Sequence, residues 1–258
     1  MRAVSALGLA IAFASATAHA QWDKHPTQGI KWKDGKPVLT GPAPKARDGK
    51  PDLSGVWMPD PDPLGKPNVF ENVISPRYFV NIAVDMKMED VPFQPWAREL
   101  FMERLQSEGK LDPIAQCKPT GVPGIATIPA PLKIVQTPEL VVILHEENTD
   151  FRQIFLDGRK LLKDPEPRWM GYSRGRWESG ALSVESTGFR DRGWLDRMGH
   201  PHSDALRLVE RFRRRDAGHL EIDMTIDDPK AYARPIAYTV KYTLRPRRGP
   251  VRVLLHGE

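Results

Sequence analysis

The chain has 258 residues, of which 40% are apolar, 28% charged and 8% aromatic, with a formal net charge of +5; this globular composition excludes a disordered or fibrous protein. Proline is the outlier at 25 residues, about twice the usual ~5%, which excludes a helical bundle in favour of short elements joined by stiff loops. A single cysteine, Cys117, rules out an intrachain disulfide and leaves stability to a buried core.

The N-terminus carries Arg2, a small-residue apolar run from Ala3 to Ala16, and Ala18-His19-Ala20 in the A-x-A form. Together they predict a signal peptide over residues 1–20, cleaved before Gln21. The run is shorter than the ~20 residues of a membrane span. A periplasmic or secreted protein is expected, with no membrane insertion and no nucleic-acid partner. Residues 21–52, rich in Lys, Pro, Gly and Asp, read as an extended N-terminal arm. A single β domain is expected over 53–258, opening on the core-like Leu53-Ser54-Gly55-Val56-Trp57.

One helix is predicted near 95–108. Pro95 suits a first turn, Trp96, Leu100, Phe101 and Leu105 recur at helical spacing, and Gly109 is a stop. Residues 112–131 hold five prolines and read as a long loop at the rim of a site. Cys117 within it reads as a buried thiol, with a histidine-assisted nucleophile as the alternative. From Leu132 the period changes to that of strands. Lys133–Gln136 with Leu140–Glu146, Trp169–Glu178 with Ala181–Ser186, and Ala205–Arg214 with Leu220–Ile226 read as hairpins, and Phe151–Leu156 stands between the first two. Pro235–Leu244 and Val251–Leu255 finish the run. Arg211, Arg213, Arg214 and Arg215 read as a solvated strand face neutralised by the acidic residues that follow. Consecutive hairpins predict an antiparallel, lipocalin-like β-barrel that removes exposed edges; a two-sheet β-sandwich is the alternative.

The densest polar segment runs from Phe189 to Ser203. His200 and His202, at i and i+2 around Pro201, share a side if the chain is extended, an arrangement suited to acid/base work or to metal. The expected catalytic set is His200 or His202 as base, Asp191 as its orienter, and Arg192 or Glu210 to stabilise or protonate the substrate. Glu210 shares an extended face with Leu206, Leu208 and Phe212, so it must be paired, with an arginine for instance, or have a raised pKa. Trp194, His145 and Arg152 are candidate substrate-binding residues, and Arg152 is placed to pair with Glu146. No cofactor is expected; the alternative is a divalent metal on His200, His202 and Glu210. Signatures of serine hydrolases, dinucleotide enzymes, NTPases and zincin proteases are missing from the sequence.

Asp48-Gly49-Lys50-Pro51-Asp52-Leu53-Ser54-Gly55-Val56-Trp57, Phe151-Arg152-Gln153-Ile154-Phe155-Leu156-Asp157-Gly158-Arg159, Gly199-His200-Pro201-His202-Ser203 and Glu210-Arg211-Phe212-Arg213-Arg214 resemble segments of a large group of uncharacterised exported bacterial proteins. The resemblance spans most of residues 48–230 and implies export; it carries no activity across. Val251–Glu258 departs from the acidic, cysteine-containing ending of that group. The expected function is small-molecule processing in a barrel cavity, as a metal-independent lyase, isomerase or hydrolase acting on a partly apolar or aromatic compound. A carrier using the same cavity without chemistry is the alternative.

Overall fold

The computed structural model describes residues 27, 29–60, 81–83, 86–191 and 193–246. The expected signal peptide, Arg192 and the strand expected over Val251–Leu255 lie outside them. A small hairpin, β1 (Trp32–Lys33) with β2 (Lys36–Pro37), comes first. Nine strands then close a barrel: β3 (Gly55–Pro59), β4 (Leu132–Gln136), β5 (Leu140–His145), β6 (Phe151–Phe155), β7 (Tyr172–Glu178), β8 (Ala181–Thr187), β9 (Arg207–Arg214), β10 (His219–Asp227) and β11 (Ile236–Leu244). Around the ring the order is β10-β11-β3-β4-β5-β6-β7-β8-β9, with β9 paired to β10. The barrel, not the sandwich, is the fold.

Alternation drives closure. In β10, Leu220, Ile222, Met224 and Ile226 are buried between the less buried Glu221, Asp223 and Thr225. Their cross-strand partners include Phe212 and Leu208 on β9 and Val240 and Tyr242 on β11, so one continuous apolar lining forms. Each such aliphatic or aromatic side chain contributes about 1.5–3 kcal/mol on burial. The β7–β8 turn at Ser179-Gly180 has positive φ at both residues, 48° and 75°, the hand that matches strand twist.

Eight neighbour pairs are antiparallel, and the hairpin order breaks once. β6 and β7 run parallel, with only Ile154↔Ser173 and Phe155↔Arg174 in register. After β6 the chain crosses back through 156–171, a stretch containing Pro165 and Pro167, before β7 begins. This seam is the most thinly paired of the ring.

The tight turns at 137–139, 179–180 and 215–218 share one end. The N-terminal arm packs against that end. Gly218 N–H donates to Leu39 O at 2.7 Å, and Ala217 N–H to Gly41 O at 2.8 Å. A Cβ on Gly218 would lie 2.4 Å from that of Leu39, so only glycine allows the approach. Arg214 also departs from the expected solvated face. It is buried, lies 5.0 Å over the Trp57 ring and donates to the carbonyls of Asp52 and Ala217, because β9 turns it inward beside Phe212. Arg213, on the outer face, pairs with Asp223 at 2.9 Å as expected.

The long connections gather at the opposite end. Helix α1 (Pro95–Gln106) forms where predicted, but its buried face is Ala97, Phe101 and Arg104, and Trp96 is 40% exposed. The reason is Arg104, which donates to Gly199 O at 3.1 Å and lies 5.2 Å over Trp194, pinning the β8–β9 loop. Cys117 is exposed, contrary to the expected burial, at a positive-φ residue ending a short 3-10 turn. Among the described residues no helix is long and apolar enough to cross a membrane.

Candidate functional site

Three features meet near the long-loop end: a histidine loop, a polar cluster inside the barrel, and a cleft at the β6–β7 seam. The loop is organised by a carboxylate that the sequence reading passed over. Asp196 accepts from Ile82 N–H, Met198 N–H and His200 N–H at 2.9, 3.0 and 3.3 Å, and from His200 Nδ1–H at 2.8 Å. His200 is fully buried, 4.4 Å from the Phe101 ring and 5.6 Å from Phe93. Its Nε2 is enclosed and has no hydrogen-bond partner among the described residues.

His202 has different surroundings. Its Nδ1–H donates to Ser203 O at 3.0 Å, and a Cβ on Gly193 would lie 2.7 Å from its Nε2. Burial holds its pKa below the ordinary value. Asp228 fixes the end of the segment, accepting from Ser203 N–H at 2.6 Å and Ser203 Oγ at 2.7 Å, and Tyr232 Oη donates to Pro201 O at 2.8 Å. Gly199-His200-Pro201-His202-Ser203 is thus held from β10–β11 as well as from α1.

Inside the barrel, Arg152 on β6 meets Glu210 on β9. Arg152 Nη1 donates to Glu210 Oε1 at 2.9 Å, and Nη2 bonds Oε2. Arg152 Nε reaches Ser173 Oγ at 3.1 Å and Nη2 reaches Ser186 Oγ at 2.8 Å. The two serine hydroxyls are 2.8 Å apart. Such a pair survives burial because both charges are matched and nearly all donors are used. Glu210 shares its buried face with Leu206, Leu208 and Phe212 as expected, and its partner is Arg152. The expected Arg152–Glu146 pair is therefore replaced: β6 turns Arg152 inward. His145, last on β5, has an enclosed Nε2 with no partner among the described residues. Burial and then the Arg152 charge push its pKa down to about 3. Tyr238 Oη on β11 is likewise enclosed and unpartnered, and burial raises its pKa well above the ordinary range.

The cleft, about 740 Å³, opens beside the short β6–β7 pairing. Arg152 and Ser173 reach its inner side, while Phe151, Phe155, Trp169 and Tyr172 supply aromatic walls and Arg168 and Arg190 line it as well. Its barrel end is polar and ionic, and its outer walls are aromatic and cationic.

The structure thus brings Arg152, Glu210 and the enclosed His145 towards one interior, and sets His200 and His202 in the loop layer with separate partners. Asp191 is exposed; the carboxylate that orients a histidine is Asp196. Trp194 is buried against Arg104 and does not line the cleft described here. Among the described residues no three His, Cys, Asp or Glu side chains are placed to hold a metal ion. The alternative ligand set His200, His202 and Glu210 is not gathered. The i,i+4 spacing of Asp196 and His200 was a usable sequence signal. Ser173, Ser186 and Tyr238 carried none, since their meeting depends on barrel register. No protein-family model matches the chain, and no curated protein matches it significantly.

Proposed function

We propose that the protein is a periplasmic or secreted β-barrel that binds a small, partly aromatic molecule in the cleft at the β6–β7 seam. The observation that carries this reading is the cleft itself. Its ~740 Å³ lies within the roughly 300–1,000 Å³ range of small-molecule sites, and it joins apolar walls to a few convergent polar groups. Export is supported by the Arg2 to Ala20 pattern. Binding without chemistry is favoured because His200 and His202 sit among Phe93, Phe101 and Phe189, not on the cleft wall. Screening aromatic metabolites by thermal shift and by tryptophan fluorescence tests this. Ligands that raise the melting temperature of the wild type are expected to bind Trp169→Ala about tenfold more weakly, through the lost ring contact and buried area. Hits that bind that variant unchanged place the ligand elsewhere.

A second reading, a metal-independent lyase, isomerase or hydrolase, is favoured by one observation. The Asp196–His200 contact at 2.8 Å leaves Nε2 unengaged, which is the arrangement an oriented general base uses. Opening of the loop layer would expose it. Turnover of a screened ligand that disappears in a folded His200→Gln variant supports this reading, and turnover that survives the substitution removes it.

A further inference from the structure

We infer that the ligand of the β6–β7 cleft is an amphipathic anion, an aromatic body bearing a carboxylate, sulfonate or similar acidic group taken by Arg168 and Arg190. This rests on the cleft reading above and adds the chemical class. The cations in the cleft fall into two sorts. Arg152 is bound to Glu210, Arg159 to Asp157 at 2.6 Å, and Arg174 to Glu185 at 2.8 Å. Arg168, Arg190 and Lys160 have no carboxylate partner among the described residues, and of these three the two arginines are the ones held over aromatic rings. Arg190 makes one long hydrogen bond, 3.5 Å, to Pro167 O.

Both arginines are nevertheless positioned. Arg190 N–H donates to Arg168 O at 3.0 Å, and Arg168 N–H donates to Gly188 O at 3.0 Å, so the two side chains leave adjacent backbone on one wall. Each guanidinium lies over an aromatic ring, Arg168 at 5.2 Å from Tyr172 and Arg190 at 5.8 Å from Trp169. Stacking narrows the rotamers of a long side chain and leaves its N–H donors directed outward, so less entropy is lost when an anion arrives. The carboxylates lining the cleft are Asp150 and Glu166. Burial and the nearby Glu147 raise the Asp150 pKa.

The apolar half of the ligand is argued from exposed surface. Phe151 is 59% and Leu162 57% exposed, and both line this cleft. Large apolar side chains clustered beside unpaired cations are what an amphipathic anion covers on both counts.

A matched pair of fluorescent probes tests the class: anilinonaphthalene sulfonate and its uncharged parent, phenyl-naphthylamine. The wild type is expected to bind the sulfonate about tenfold or more tighter than the parent, the worth of one or two charge-assisted hydrogen bonds. Arg168→Gln with Arg190→Gln should bring that ratio close to one, leave binding of the parent unchanged, and leave the melting temperature within a few degrees of the wild type. Arg168→Lys with Arg190→Lys should keep most of the preference, and Arg98→Gln on exposed α1 should keep all of it. Equal binding of both probes in the wild type, with binding lost in Trp169→Ala, overturns the anionic class and leaves the cleft reading standing. A sulfonate preference that survives the double glutamine variant overturns the assignment to Arg168 and Arg190. Binding of neither probe overturns the inference together with the cleft reading.

Discussion

Arg152 and Glu210 place opposite charges in the barrel interior at side-chain exposures of 4% and 1%. Removing one partner strands the other, at a cost of about 3–5 kcal/mol. Chemical denaturation of Arg152→Met and Glu210→Leu is expected to show such losses singly. The double variant should recover much of either loss, because no uncompensated charge remains. Equal or additive losses would show that the serines, not the ion pair, carry the interaction. His145 adds a dependence on pH. Its pKa in the fold is held down to about 3 by burial and by Arg152, against ~6.5 in an unfolded chain. The unfolded state alone takes up this proton between those values. Stability therefore falls as pH drops from about 6.5 towards 3, by up to about 1.4 kcal/mol per pH unit from this group. The depressed His202 acts in the same direction. Urea titrations of His145→Gln between about pH 4 and 6.5 should show a shallower slope than the wild type; an unchanged slope would mean that His145 titrates normally in the fold. At this scale the sequence was legible where one element's pattern sufficed. The inward faces of Glu210 and of His145 follow from alternation along β9 and β5. Their partners do not, because Glu210 and Arg152 lie 58 residues apart and meet only through the closed ring.

Among the elements, the strands were legible because their period of two runs for seven to nine residues in β8 to β11. Helix α1 was legible in extent, from Pro95 and the stop near Gly109, but not in facing. Its inner face holds Arg104, a residue that a hydrophobic count assigns to solvent, and tertiary contact with Gly199 and Trp194 decides otherwise. The same face carries Phe101, fully buried against Met198 and the His200 ring. Phe101→Ala is expected to cost about 3–5 kcal/mol and to loosen the His200 loop before the barrel. Hydrogen exchange of the Met198 and His200 amides should speed up while that of β9 and β10 stays near the global rate. Uniform acceleration would mean that loop and barrel unfold as one unit.

In the whole molecule, the N-terminal arm packs against one end of the barrel, long connections gather at the other, and the cleft opens in the side wall. The β8–β9 and β9–β10 pairs are long, and the β6–β7 pair has two registered positions. Native-state hydrogen exchange is expected to place β6 and β7 among the first barrel strands to open and β9 and β10 among the last; equal protection around the ring would refute a weak seam. The sequence pointed to the barrel but not to this seam, since a hairpin reading supplies only neighbours that reverse direction. The seam itself follows from parity. A closed ring in which every strand opposes both neighbours must hold an even number of strands, and this ring holds nine. One like-directed join is therefore compulsory, and the chain spends it between β6 and β7. A relative that gained or lost a single strand could become fully alternating, and with no like-directed join it would have no topological reason to keep a cleft in its wall.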